Sequence, residues 1–150
     1  MAKLGAIAMG SWQLWAAGAA GFAALTAVLA KVGVAGIDSN LATLLRTAVV
    51  LAGLGVLLAF NGQLTWSQVV ALPPTSVAAL VLSGLATGAS WLCYFRALQL
   101  GPVSGVAAID KLSVVLVAVV GALLLGDQLG ARGWIGILLM GGGAVLVALP

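Results

Sequence analysis

Charged residues are almost missing from this chain. Only nine of its 150 residues carry a formal charge, six basic and three acidic, while 63% are hydrophobic. Soluble domains are nearer half apolar and about a quarter charged. A soluble fold of this length could not bury so much apolar surface in one core. The composition therefore predicts a protein whose solvent is lipid.

Five segments are long and apolar enough to cross a bilayer, which takes about 20 residues in a helix. They lie at residues 12–32, 41–60, 77–100, 102–125 and 134–149. Lipid leaves no backbone group unsatisfied, and these segments lack the alternating polarity of barrel strands, so helices are expected. The predicted fold is an all-α integral membrane protein with five transmembrane helices in one domain, residues 12–150. Residues 1–11 are interpreted either as native or as an added leader.

The connections between the spans carry helix start and stop signals. Asp38, Ser39 and Asn40 are good N-cap residues for the second helix, and Gly101-Pro102 predicts a tight turn before the fourth. Residues 64–72 are too short to span and predict a short surface helix or a loop. Gly126 and the residues after it are predicted to end the fourth helix.

An odd number of spans places the chain ends on opposite sides of the membrane. Side A then holds the amino end and the 2–3 and 4–5 connections, and side B holds the 1–2 and 3–4 connections and the carboxyl end. Lys3 and Arg132 flank side A, whereas Lys31 and Arg96 flank side B. The positive-inside rule gives no orientation from this balance. The chain either inserts both ways or is oriented by finer features such as Arg46.

Three charges lie inside the predicted spans, where each costs ~2.5–3.5 kcal/mol and is retained mainly beside a cavity or a partner. Asp110 and Lys111 lie ~12–14 Å, and Arg46 ~8 Å, from the side-B ends of helices four and two. At such similar depths the three could meet. They form either a functional polar site or a structural ion-pair network, and Arg46 could instead extend its side chain to side B.

The third helix carries a polar stripe. Ser83, Thr87, Ser90 and Tyr94 share one face, with Trp91 beside it. Such a stripe predicts contact with a cavity or another helix rather than with lipid. Trp91 and Tyr94 could form an aromatic wall for a substrate, and interhelical hydrogen bonding with aromatic packing is the equal alternative.

Two small-residue pairs predict close helix packing, Gly84 with Gly88 and Gly101 with Gly105. Other classes of function are disfavoured. The chain has no Glu and no His, and Cys93 is its single cysteine, so no metal site, disulfide or cofactor is expected. A net charge of +3 is too small and scattered for nucleic acid. Without a nucleophile–base pair, we expect no enzyme.

Short motifs follow one another from Trp91 to Leu149. They are Tyr94-Phe-Arg-Ala97-Leu98, Gly101-Pro-Val-Ser104, Ile109-Asp-Lys-Leu112, Leu125-Gly-Asp127-Gln-Leu129, Trp134-Ile-Gly136 and Gly141-Gly-Gly143. In this order and spacing they resemble the EamA-like domain of the drug/metabolite transporter superfamily. The stretch Phe22–Val49 fits the first two helices of the same domain. Members of the family often carry a Pro near Val114, and this chain lacks it. They also often carry a Glu where Asp127 stands. A loop or cap role is expected for Asp127.

The resemblance implies a secondary transporter of a small metabolite or drug-like molecule in the inner membrane. Larger relatives contain two five-helix repeats of opposite orientation, and this chain looks like one half of that inverted-repeat fold. It could complete the fold by pairing with a second, inverted copy as an antiparallel homodimer.

The site residues follow from that assignment. Asp110 would couple transport or bind substrate, and Lys111 and Arg46 would set its charge. Trp91, Tyr94, Ser90 and Thr87 would line the cavity. The alternative is a non-transporting membrane subunit or scaffold with structural charges. No residue names the substrate, the direction of movement or the coupling ion.

Overall fold

The computed structural model describes residues 11–63 and 65–149, so ten of the eleven residues interpreted as a leader lie outside it. The described residues form helices and no strand, as predicted. The helices are α1 (Ser11–Gly33), α2 (Ser39–Phe60), α3 (Trp66–Val70), α4 (Pro74–Leu100), α5 (Val103–Asp110), α6 (Leu112–Val120) and α7 (Ala131–Ala148). A single π-helical turn, Gly121–Leu125, continues α6.

The described part of the chain contains five segments long and apolar enough to span a membrane. These segments are α1, α2, α4, the run from α5 through the π-helical turn (Val103–Leu125), and α7. Each exposes most of its apolar side chains, which is expected where lipid or another protein covers them. The five-helix membrane architecture predicted from composition is confirmed.

Local signals explain where the spans begin. Asp38 caps α2, and its Oδ1 accepts hydrogen bonds from the backbone N–H groups of Asn40 (2.9 Å) and Leu41 (3.1 Å). Helix α4 begins at Pro74, three residues before the predicted start, because a proline suits the first helical position. The short α3 lies in the segment predicted to be a surface helix or a loop.

Helices α4 and α5 are central to the packing. Helix α4 contacts α1, α2 and α5, while α5 also contacts α1, α6 and α7, and α7 packs on α6. The buried cluster consists of Val34, Ala42, Phe95 and Leu98, all near side B. The buried residues that join α2 to α4 therefore lie at one end of these helices.

The fourth span is one helical segment over Val103–Leu125, which agrees with the predicted helix over 102–125, but it is not regular throughout. It is interrupted at Lys111, whose N–H is shared between the carbonyls of Ala107 (3.3 Å) and Ala108 (3.1 Å). The N–H of Val114 then donates to the carbonyl of Lys111, only three residues back (3.0 Å). This tightened turn divides α5 from α6 without a proline, and such irregular turns within helices often mark hinges.

The span ends in a compact turn around Asp127. Gly126 adopts a positive φ of 73°, which favours glycine, and the Asp127 N–H donates to the Gly121 carbonyl at 3.1 Å. The Asp127 carboxylate also lies so close to Gly121 that a Cβ there would meet its Oδ2 at 2.8 Å. This geometry agrees with the loop or cap role expected for Asp127.

Candidate functional site

Arg46 projects from α2 towards two aromatic rings of α4. Its guanidinium carbon lies 4.1 Å from the centre of the Trp91 ring and 5.6 Å from that of Phe95. The two rings are neighbours on one helix face because they are four residues apart. Both distances are within the range of cation–π attraction. The half-buried cation is therefore held by aromatic faces.

A cavity opens beside Arg46 between α1 and α2, with Phe95 of α4 also in its wall. Its volume is about 360 Å³. Arg46 is the one ionisable residue among those that line it, and Thr26 the one residue with a neutral polar side chain. The lining residues are Thr26, Leu29, Ala30, Gly33, Ile37, Ala42, Leu45, Arg46 and Phe95. The cavity thus combines an apolar body with a single positive group.

Asp110 and Lys111 form an ion pair at the interruption of the fourth span. The Lys111 Nζ lies 3.2 Å from the Asp110 Oδ2. The Lys111 and Asp110 side chains remain 56% and 40% exposed, respectively, within the single chain. Because the partners are neighbours in sequence, this pair does not tie two helices together.

The three predicted charges do not form one ion-pair network in the described residues, since the ion pair found there leaves Arg46 out. Tyr94 is half-buried and packs against the buried cluster near side B. The structure therefore brings Arg46 onto Trp91 and pairs Asp110 with Lys111, while Tyr94 lies beside the buried cluster.

The rest of the polar stripe lies on an exposed part of α4. The Thr87 hydroxyl donates to the carbonyl of Ser83 (2.9 Å), a bond within the helix itself. Ser90 is also exposed. Neither Thr87 nor Ser90 lines the cavity beside Arg46. Their role as lining residues stays a prediction that needs a wall supplied from outside this chain.

The two glycine pairs differ in what surrounds them. A Cβ at Gly84 or Gly88 would meet nothing within 4 Å. A Cβ at Gly101 would lie 3.4 Å from the Val106 side chain, and one at Gly105 would lie 3.4 Å from Pro102. A packing role for Gly84 and Gly88 stays a prediction about a partner, whereas Gly101 and Gly105 lie at the tight turn between α4 and α5.

Lys31 and Gln99 have roles that the sequence did not reveal. The Lys31 ammonium donates to the carbonyls of Leu98 and of Gly101, the latter at 2.9 Å. It thereby satisfies carbonyls at the end of α4, where a helix favours positive charge. The Gln99 side-chain amide donates to the carbonyl of Ile37 at 2.7 Å. The available signal was a lysine in the last turn of α1, which was interpreted only as the end of a span.

Phe95 and Arg96 make further contacts that were not predicted from the sequence. Phe95 belongs both to the buried cluster and to the aromatic pair beneath Arg46, and its spacing of four residues from Trp91 was the signal. Arg96, expected only as a flanking charge of side B, donates from its guanidinium to the Gln99 side-chain oxygen at 3.0 Å. Near side B, side-chain hydrogen bonds therefore involve Lys31 of α1 and both Gln99 and Arg96 of α4.

A multi-pass helical membrane protein with charges at a mid-span helix break has the general plan of a transporter. The family model of the EamA-like transporter family matches residues 10–149, and the chain belongs to that family. It is also 52% identical over 139 residues to a Sinorhizobium sp protein named "Uncharacterized transporter in cobO 3'region". The match covers 93% of this chain and 97% of that relative. No solved structure is significantly similar to the chain.

Proposed function

We propose that this chain is a secondary transporter that moves a small metabolite or drug-like molecule across the inner membrane by alternating access. The observation that carries the proposal is the placement of the Asp110–Lys111 ion pair at the helix break inside the fourth span. Transporters commonly bind substrates and coupling ions where a spanning helix is interrupted near the midplane. A break also gives the span a point about which its two halves can move.

The geometry favours this function over a scaffold held together by structural charges. A scaffold would use intramembrane charges to join helices, but Asp110 pairs with its own neighbour. Arg46 does connect α2 to α4, through the faces of Trp91 and Phe95. The ion pair therefore has no evident structural role, while its exposure allows a substrate or a proton to reach it.

We further propose that the transporter is an antiparallel homodimer. The chain carries one five-helix repeat, and a relative of nearly the same length is also named a transporter. An inverted-repeat site needs two repeats, and the balanced flanking charges permit insertion in both orientations. In such a dimer the exposed Ser90 and Thr87 would face the second copy and complete the cavity wall.

Within this scheme Asp110 is the coupling residue. It is the one carboxylate inside the five described spans, since Asp38 lies before α2 and Asp127 lies after the π-helical turn. A proton or a substrate cation would displace the Lys111 ammonium from this carboxylate.

The test is proton movement in proteoliposomes that contain a trapped pH indicator. Amino acids, organic acids and amines are added one by one as probes under an imposed pH gradient. At least one probe should drive a proton flux through the wild-type protein, and Asp110→Asn should reduce that flux by a factor of ten or more. Asp127→Asn is the matched control and should retain it, because its carboxylate lies outside the spans. An undiminished flux through Asp110→Asn would exclude the coupling role.

A folding measurement separates the transporter from the scaffold. Alanine at Asp110 or at Lys111 should leave a folded but inactive transporter, because the ion pair joins neighbouring residues and does not tie two helices together. Loss of the folded protein in both variants would favour the scaffold.

Orientation is tested by reporters fused to the carboxyl end. One reporter is active only in the cytoplasm and the other only outside it. Signal from both is expected for dual insertion, and signal from one alone would contradict the antiparallel homodimer.

A further inference from the structure

We propose that the cavity between α1 and α2 is a binding site for a small organic monocarboxylate. The carboxylate would bind the Arg46 guanidinium, and the apolar body would fill the cavity. This inference rests on the proposed transport function and names its substrate class. It assigns a site away from the Asp110–Lys111 pair, since neither residue lines the cavity.

The first argument is the hydrogen-bonding state of Arg46. A guanidinium offers five N–H donors in a planar fork and does not lose its charge in proteins. None of the side-chain hydrogen bonds or ion pairs described for residues 11–63 and 65–149 involves Arg46. Its one described attraction is to the Trp91 and Phe95 rings, which hold the cation without occupying its donors. The fork is thus positioned and still open to a ligand.

The second argument is the sign of the charge around the cavity. No lining residue carries a carboxylate, so an organic cation would meet only the repulsion of Arg46. Of the three charges predicted inside the spans, Asp110 and Lys111 compensate each other and leave Arg46 without a compensating carboxylate. One fixed positive charge in an apolar environment selects one negative charge, because a second anionic group would be desolvated without a partner.

The third argument is size and polarity. A volume of about 360 Å³ falls within the ~300–1,000 Å³ range of small-molecule sites. Its walls are aliphatic, with the Phe95 ring beside the guanidinium, so they suit an apolar body attached to the carboxylate. A planar carboxylate matches the fork with two parallel hydrogen bonds. A phospholipid would place its phosphate there but leave its acyl chains outside, so a compact acid fits the cavity better.

The binding experiment uses 2-naphthoate as the probe and 2-naphthamide as its neutral isostere. Equilibrium dialysis is performed with the full chain in lipid nanodiscs. Naphthoate should bind the wild-type protein at least tenfold more tightly than the amide. Arg46→Gln should weaken naphthoate binding by about 10- to 100-fold, the loss expected for hydrogen bonds to a charged group. The affinity of Arg46→Lys for naphthoate should lie between those of the wild type and Arg46→Gln, because lysine keeps the charge but not the planar fork of donors.

The control variant is Arg132→Gln, which removes the same side chain from an exposed position at the start of α7. It should bind naphthoate as the wild type does. If Arg46→Gln does not fold, the wild-type protein alone still tests the proposal. Equal binding of naphthoate and naphthamide to the wild type would overturn the carboxylate site. Equal naphthoate binding by wild type and Arg46→Gln also overturns it.

Two further outcomes separate this site from its alternatives. A phospholipid that copurifies with the wild type, is lost in Arg46→Gln and is not displaced by naphthoate would overturn the proposal in favour of a lipid site. Naphthoate binding that depends on Arg46, in vesicles without proton flux for any probe, would support the carboxylate site while contradicting proton-coupled transport. Proton flux with other probes but no naphthoate binding would overturn the carboxylate site alone.

Discussion

The two ends of the helices are organised differently. Towards side B, the four residues of the buried cluster come from the α1–α2 connection, α2 and α4. Towards side A, α4 has no buried residue before Phe95, and α2 has none after Thr43. We call these the packed end and the open end. The contrast shows that α2 and α4 are fixed at one end and leave apolar faces for lipid or another chain at the other, whereas α6 and α7 also pack together towards side A.

Short connections explain the packed end. The turn at Gly101-Pro102 and the segment between α1 and α2 bring backbone carbonyls together, where Lys31 and Gln99 donate to them. In lipid, such polar groups must be satisfied by the protein itself. The hydrogen bonds therefore hold three helices where their ends meet.

The candidate functional residues lie at the boundary between the two ends. Arg46 is one turn along α2 from the buried Ala42, and Lys111 interrupts the fourth span between α5 and α6. A packed end joined to an open end through an irregular turn in a helix suits alternating access. The following predictions test how different the two ends are.

The largest effect is expected from a cavity at the packed end. Leu98 is fully buried, so Leu98→Ala should lower the free energy of unfolding by about 2 to 3 kcal/mol. Leu82→Ala on the same helix is the matched control, because Leu82 is 67% exposed, and should cost about 0.5 kcal/mol or less. Both values come from reversible denaturation in mixed micelles. Equal costs at the two positions would mean that the packed end is not the more stable one.

The second prediction removes the lysine that joins α1 to the end of α4. Lys31→Met keeps the apolar stem but leaves the Leu98 and Gly101 carbonyls without their donor, at a cost of about 1.5 to 2 kcal/mol. Arg132→Met removes a charge from an exposed site and should change the unfolding free energy by about 0.5 kcal/mol or less. The same denaturation assay measures both. If the two losses are alike, Lys31 acts as a flanking charge rather than as a cap.

The sequence was sufficient to predict the architecture, because the length of each apolar segment determines whether it can span a bilayer. Five long apolar segments, the Asp38 cap and the Gly101-Pro102 turn each depend on residues close together in the chain. Their physical causes are local, so their positions follow from composition and turn chemistry. The start of α4 at Pro74 precedes the predicted start at residue 77 by three residues, because a proline can occupy the first helical position.

The site was predicted only in part because its contacts join distant segments. The Lys31 bonds to Leu98 and Gly101 connect residues 67 and 70 positions apart, and no local pattern specifies such a pairing. Depth along the helices placed Arg46 near Asp110 and Lys111, but depth does not tell which way each side chain turns. The break at Lys111 was missed because the expected signal, a proline, is not needed for a tightened turn.

The third prediction concerns the open end. A Cβ at Gly84 would meet no atom of its own chain within 4 Å, so Gly84→Leu should leave the monomer folded. If this face packs against a second copy, the added bulk should cost about 1 to 2 kcal/mol of association, a roughly five- to thirty-fold weaker dimer. Energy transfer between labelled copies in bilayers measures the association.

The control for this variant is Leu82→Ala, which keeps the glycine at position 84. Leu82 lies two residues earlier on α4, about 200° around the helix, and therefore on the opposite face. It should associate as the wild type does. Unchanged association in Gly84→Leu would place the dimer contact elsewhere.

The smallest effect is expected at Gly121, where the side-A turn meets the π-helical turn. A methyl group there would approach the Asp127 carboxylate oxygen to 2.8 Å, and the carboxylate can rotate away. Gly121→Ala should therefore cost only about 1 kcal/mol, the low end for overpacking. Gly142→Ala is the control, since its Cβ would meet nothing within 4 Å and alanine favours a helix by up to about 1 kcal/mol. The double variant Gly121→Ala with Asp127→Ala should recover the loss, because the clashing atom is gone. A loss that persists in the double variant would mean that the buried Gly121 is required by neighbours other than Asp127.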